Sequence, residues 1–381
     1  MLTKFYLPSR IIFGLGGTAS LGAEAKGLGR RAMLVTGTHS ARETGLLDRV
    51  TQDLESNKVD VLVFDKVKPN PRASTVDKGA VVVRKEGVDV IIGLGGGSAM
   101  DTAKCIRLAS AGNKSIWDYY TGAGDAKAAG PVLPLILVPT VAASGSEAND
   151  IAVITNWEAR EKRVLSSPFF FSTVSIVDPE LTLTVPRETT AQGGVDIFCH
   201  VVERYMTMKM PSPLSDGIME TVMRLVVSNL PQALTRLGDT VVRTRLSWAS
   251  TMACSQFIVL GGGAGRMTLH GIEHALSGYY DIAHGDGMAA LLLAWMRYTL
   301  PVRQGRFDSI GRNVFGEADG IAAVGRWLDK VGMKLSLRDL GVEAERIGEI
   351  ADCAVRTSPW LSKHPNILNA PAVAQIYRDS Y

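Results

Sequence analysis

The stretch VDVIIGLGGGSAMDTAK, residues 88–104, reads as an apolar strand, then Gly95-Gly96-Gly97-Ser98, then a helix. Glycines let the chain turn sharply and bring bare backbone against a ligand, with no Cβ in the way. A helix starting there offers unpaired N–H groups and the positive end of its dipole, which suit a pyrophosphate. Four further β-branched, apolar runs share the strand's character: 32–36 (AMLVT), 59–64 (VDVLVF), 135–139 (LILVP) and 174–178 (VSIVD). Unbroken apolar runs fit strands buried on both faces of a parallel sheet. Between the first runs Leu46, Leu47, Val50 and Leu54, and later Val76, Ala80 and Val83, recur at helical spacing. Strand, helix, strand in this order predicts βαβ units in a doubly wound, Rossmann-like sheet.

Past Pro186 the pattern changes. Residues 190–207, 213–237, 242–260 and 266–280 carry helical periodicity, and no strand-like run follows. Pro179 and Pro186 flank the change, so the expected division is an α/β dinucleotide-binding domain, 1–185, and an all-helical domain, 186–381.

Composition narrows the class. The chain has 381 residues, 46% hydrophobic and 21% charged, as in an ordinary globular protein of about two domains. A net charge of +3 gives no footing for a nucleic-acid partner. The longest apolar stretch, Pro131 to Ala143, is broken by proline and falls short of the ~20 residues a bilayer span needs. No apolar export segment opens the chain, so a cytoplasmic location is expected. Cys105, Cys199, Cys254 and Cys353 are scattered and form no CxxC, so they read as small buried hydrophobes.

Two loops bear on the nucleotide. Gly14-Leu15-Gly16-Gly17-Thr18-Ala19 matches GxGxxA literally, but it precedes the first clear βαβ unit and reads as a turn. After the first main strand comes Thr36-Gly37-Thr38-His39-Ser40-Ala41-Arg42, with glycine, hydroxyls and an arginine where a ribose-binding acid would stand. Its absence admits a 2′-phosphate and favours NADP over NAD.

Four of six histidines fall between 200 and 284. Asp196 and His200 are four apart and share a helix face, as do His270 and His274; His284 follows at a Gly-rich turn. One carboxylate and three imidazoles can hold a divalent transition metal. Spacing does not say which of His270 and His274 is the ligand.

With these motifs in order, the chain resembles the iron-containing (group III) alcohol dehydrogenases, with their dehydroquinate synthase-like architecture. GGGSAMDTAK, PTVAASGSEAN, GGVDIFCHVVERY and HGIEHALSGYYDIAHGDGMAALLLAWMRY carry the likeness, which extends over nearly the whole length. Within the family it looks most like the NADPH-dependent butanol dehydrogenase branch. The resemblance implies metal ligands at Asp196, His200, His270 and His284, and places His274 near the nicotinamide as the catalytic proton relay. It implies nucleotide contacts at Gly37, Ser40, Asn70, Gly95, Gly96, Gly97, Ser98, Asp101, Thr140, Ser144, Lys162 and Leu181. Val141 stands where other branches carry a second threonine, and Asp286 and the 261–265 glycine run are less usual.

The expected reaction is hydride transfer between NAD(P)H and a small neutral aldehyde or ketone, with Fe2+ or Zn2+ polarising the carbonyl. A histidine titrating near neutrality would suit the relay. Asn149, Ile151, Trp248 and Phe257 are expected pocket walls, and the lack of a basic cluster beside the metal motifs argues against anionic substrates. A homodimer is expected. The alternatives are an NAD-linked alcohol or diol dehydrogenase of the same family and a non-catalytic metal- and nucleotide-binding protein.

Overall fold

The computed structural model describes residues 5–125, 130–210, 212–260 and 265–381. Its strands are β1 (Arg10–Phe13), β2 (Arg31–Gly37), β3 (Asp60–Val67), β4 (Val90–Gly95), β5 (Leu135–Pro139), β6 (Ile151–Asn156), β7 (Glu161–Ser166) and β8 (Val174–Val177). The side-chain alternation along them explains the unbroken apolar runs. Met33, Val35, Ile91, Leu135 and Leu137 enter one buried cluster, whereas Ala32, Leu34, Val90, Ile92, Ile136 and Val138 enter another on the opposite face. β2, β4 and β5 are thus covered on both faces, as the doubly wound reading requires.

The six-stranded sheet runs β1-β8-β5-β4-β2-β3 with all pairs parallel. From β2 the chain steps outward to β3 and returns to β4 on the other side. The order reverses there, so the ends of β2 and β4, with Gly37 and Gly95, open on a crevice where such sheets bind ligands.

Three strands were not expected. β1 is a four-residue edge strand, and β6 and β7 form an antiparallel hairpin outside the main sheet. Both hairpin strands mix buried and half-exposed positions, which blurs the apolar signal. The Gly14–Gly17 segment is a turn, as expected. Gly16 N–H and the Thr18 N–H and hydroxyl all donate to the Asp178 carboxylate at 2.7–3.1 Å.

From Arg187 onward the described elements are helical. The ones that position the site are Arg187–Thr207, Thr240–Ala253, Thr268–Tyr280 and His284–Ile310. They share one apolar core with Phe198, Trp295 and Tyr377 fully buried. Asp281 ends the helix Thr268–Tyr280 in the left-handed region (φ 56°), and the next helix begins at His284 itself. Among the described residues no helix is long and apolar enough to cross a membrane. All four cysteines are buried and unpaired.

Candidate active site

A cleft of about 1230 Å³ lies between the strand ends and the helices. Gly37, Ser40, Asn70, Gly95, Gly96, Gly97, Ser98, Asp101, Ser144 and Lys162 line its sheet side, and Asp196, His200, His270, His274 and His284 its helical side. The glycine loop is closely fitted. A Cβ on Gly97 would come within 2.8 Å of Ser144 Oγ, so only glycine lets the helix Gly97–Ala111 start against that loop. Asp101 has both oxygens engaged, accepting from Ser146 Oγ at 2.6 Å and Val153 N at 2.8 Å. It thereby braces the wall from beneath.

Two expected nucleotide residues do not line the cleft. Thr140 donates its amide to the Gly95 carbonyl at 3.0 Å, supporting the loop from behind. Leu181 packs against the lower core with Leu21 and Ile176. Arg42 is turned to Asp65 at 2.9 Å, so the cation at the Gly37 end of the cleft is Lys68.

At the foot of the cleft the donors converge. Around one oxygen of Asp196, Oδ1, lie His270 Nε2 at 3.3 Å, His284 Nε2 at 3.5 Å and His200 Nδ1 at 3.7 Å. Tetrahedral bonds of about 2.1 Å place ligand atoms about 3.4 Å apart. Asp196, His270 and His284 already bring their donor atoms together, and His200 stands a little farther out at 3.7 Å from the shared oxygen. His200 Nδ1 is buried and has no hydrogen-bond partner among the described residues, as a nitrogen reserved for a cation would be. The residues fit a divalent ion. The same geometry separates His270 from His274, whose ring is not in this set and faces the cleft one turn along. Glu273, His274 and His284 also bring donor atoms together, but Glu273 is committed to His284 Nδ1 and Ser277 Oγ.

Two carboxylates escaped the sequence reading. Glu203 binds His270 Nδ1 and accepts from the Leu269 and His270 amides, while Glu273 binds His284 Nδ1. Both are fully buried. Each fixes a ring so that its Nε2 faces Asp196, which is how outer carboxylates orient metal-binding histidines. Their spacing was visible, Glu203 three residues after His200 and Glu273 three after His270, but a buried partner cannot be read from one face of a helix. The HGDG glycines serve the same end. A Cβ on Gly285 would lie 2.6–2.7 Å from Gln192, and one on Gly287 2.8 Å from Glu273 Oε1, so their absence lets the His284 helix close on its neighbours.

Charge follows from this packing. Burial favours a neutral Asp196, yet His200, His270 and His284 together hold its carboxyl well below the usual range. Burial opposes charge on His270, but Glu203 and the carboxylate hydrogen bonds raise it to about 10. Burial pushes His200 down to about 4. His274 is not poised near neutrality as expected: burial first, then Lys162 and the neighbouring histidines, push it well below. The ring there is a neutral imidazole.

Asn70 ties the two sides. Its amide nitrogen donates to Asp281 Oδ1 (2.9 Å) and the Ile282 carbonyl (3.0 Å), and its oxygen accepts from Lys162 Nζ (2.8 Å). Lys162 Nζ is also 3.9 Å from Glu273. The missed hairpin thus delivers Lys162 to the metal side.

Of the expected walls, Asn149 and Ile151 line the cleft. Trp248 instead stacks on Phe13 with centroids 3.8 Å apart, and Phe257 meets Phe5. Asp286 accepts from Gln192 at 3.0–3.1 Å. Residues 261–264 of the glycine run lie outside the described residues.

A nucleotide crevice beside a carboxylate–histidine cluster defines a metal-dependent dehydrogenase. Residues 8–179 match the family model "iron-containing alcohol dehydrogenase", and residues 190–381 match the C-terminal model of the same family. The chain is 33% identical to NADH-dependent butanol dehydrogenase A of Clostridium acetobutylicum, over 99% of each chain. It is 36% identical to a probable NADH-dependent butanol dehydrogenase of Bacillus subtilis, over 92% of each. The crystal structure of NADH-dependent butanol dehydrogenase A from Thermotoga maritima superposes with a TM-score of 0.92 at 32% identity, covering 99% of this chain and 98% of that one. The chain belongs to the iron-containing alcohol dehydrogenase family and is an NAD(P)-dependent oxidoreductase.

Proposed function

We propose that this enzyme interconverts small aldehydes and alcohols, with the dinucleotide on residues 1–185 and a divalent ion, iron or zinc, on residues 186–381. The convergence of three imidazole nitrogens on Asp196 Oδ1 at the foot of the cleft carries this reading. Asp196, His200, His270 and His284 would hold the ion; their one oxygen and three nitrogens suit either metal. When bound, the dinucleotide supplies the hydride and the ion supplies Lewis acidity at the carbonyl oxygen.

The chain's own residues do the rest. Gly95, Gly96, Gly97 and Ser98 offer backbone N–H groups to the pyrophosphate. Lys162, held by Asn70, reaches the ribose side. Glu203 and Glu273 hold the imidazoles of His270 and His284 in one tautomer and one orientation. His274, a neutral imidazole on the wall, would position the water that exchanges a proton with the substrate oxygen.

NADPH is the favoured cofactor. Gly37 and Ser40 set no carboxylate against a 2′-phosphate, and Lys68 lines the same wall, although the relatives named above are NADH-dependent. The unpaired side of edge strand β1 supports a homodimer, testable by light scattering on eluted protein.

The direct test follows nicotinamide absorbance with butanal and NADPH, then NADH, using chelator-stripped enzyme and enzyme reloaded anaerobically with iron or zinc. Metal-dependent oxidation that favours NADPH supports the reading. Turnover with NADH alone would remove the cofactor preference and leave the metal site standing. Turnover undiminished after complete stripping would sink the metal assignment.

A further inference from the structure

Arg204 lies one helical turn beyond His200 on the helix Arg187–Thr207 and lines the cleft with only 9% of its surface exposed. A buried guanidinium ordinarily has a carboxylate partner, because an unpaired charge taken from water is costly. Among the described residues no carboxylate lies within 4.0 Å of Arg204. Residues 1–4, 126–129, 211 and 261–264 contain no Asp or Glu that could supply one. Among the described residues, Nη1 donates to the Ser255 carbonyl at 3.2 Å, Nη2 has only a 3.9 Å contact with Cys254 Sγ, and Nε has no partner. The Ser255 contact accounts for one donor as a structural tie, and among the described residues no carboxylate pairs with the charge. Arg266 stands exposed on the same wall. The fold therefore brings to the metal's side a cationic end that the sequence pattern did not show.

We propose that Arg204 receives the carboxylate at the far end of the substrate, so that the preferred substrates are ω-oxo carboxylates and the matching ω-hydroxy acids. The proposal rests on the dehydrogenase reading above and deepens it. A single buried guanidinium matches a monoanion, and its planar fork matches a carboxylate in particular. His200 and Arg204 are four residues apart, about 6 Å along the helix axis, so both lie on the same face of the helix and line the same cleft.

The test compares 4-oxobutanoate, its methyl ester and butanal as substrates of the metal-loaded enzyme, alongside the Arg204→Gln and Arg204→Lys variants. The wild-type kcat/KM for 4-oxobutanoate is expected to exceed that for the ester by at least about tenfold. Arg204→Gln should collapse that ratio, through KM rather than kcat, and Arg204→Lys should restore part of it. A merely structural arginine would move charged and neutral substrates together, and that result overturns the proposal. So does a wild-type ratio near one, whether or not the variants fold. Should no aldehyde be reduced, the dehydrogenase reading falls, and calorimetry with 4-hydroxybutanoate against butanol decides separately: equal or absent binding of the two overturns the role of Arg204, and selective binding of the acid supports it.

Discussion

Glu273 touches no substrate in this arrangement, yet it sets the direction of His284 and meets Lys162 on its other side. Glu273→Gln keeps the shape and removes the charge that holds the imidazole. Metal affinity is expected to fall by about 10–100-fold, read by competition with a chromophoric chelator; unchanged affinity would show that packing alone orients the ring. Gly285→Ala tests the same geometry from the backbone. Its Cβ would meet the Cα and carbonyl of Gln192 at 2.7 Å, so the His284 helix must back away. We expect substoichiometric metal by elemental analysis in a protein that still folds. At this scale the sequence was informative where residues repeat on one helix face. Asp196, His200, His270, His274 and His284 were legible as a cluster from spacing, and only the family resemblance preferred His270 over His274 as a ligand. Glu203 and Glu273 were not legible, because their partners lie on other helices.

Among the elements, the segment after Pro359 depends on His364, which is 2% exposed. Its Nδ1 accepts the Asn366 amide and its Nε2 meets Thr299 Oγ1 on the long helix beginning at His284. Burial, with help from the charge of Arg303, lowers its pKa from 6.5 to about 4. The unfolded chain thus takes up this proton at higher pH than the native one. Its contribution is complete above pH 6.5 and is lost as the pH falls through 6.5 towards 4, on the order of 3 kcal/mol. Denaturant midpoints across that window should drop less steeply in His364→Gln than in the parent; equal slopes would clear His364 of the effect. Element by element, the buried parallel strands were readable because both faces are apolar. The β6–β7 hairpin was not, since its strands are half exposed and its turn, with Arg160 at φ 52°, carries no glycine.

Across the whole molecule, the two halves meet through polar ties such as Arg72–Asp281, Thr251–Glu147 and Arg356–Glu161, and Asn70 adds those that reach the cleft. Asn70→Ala removes the contacts to Asp281, Ile282 and Lys162 together. KM for the dinucleotide should rise several-fold and the metal should exchange faster, with the far-ultraviolet spectrum retained. Stripping the ion should lower the melting temperature of the whole chain, since ligand at about 100 times its Kd adds about 2.7 kcal/mol to the native state. Overall organisation, sheet first and helices after, was legible from the shift in periodicity at Pro186. The cleft's far wall was not: Arg204 and Cys254 are 50 positions apart in sequence and meet only through the fold.

The path Asn70–Lys162–Glu273–His284 has one more consequence. It joins a residue on the dinucleotide wall to a metal-facing imidazole through three successive polar contacts. We expect dinucleotide binding at Lys162 to strengthen the hold on the ion through this path, and thermodynamic reciprocity then makes the effect symmetric. A chelator affinity that NADPH leaves unchanged would show that the contacts carry no coupling. Chelator titrations with and without NADPH, and NADPH titrations with and without the ion, should return the same factor. In a cell short of metal, a full nucleotide pool would then help the enzyme keep the ion it has.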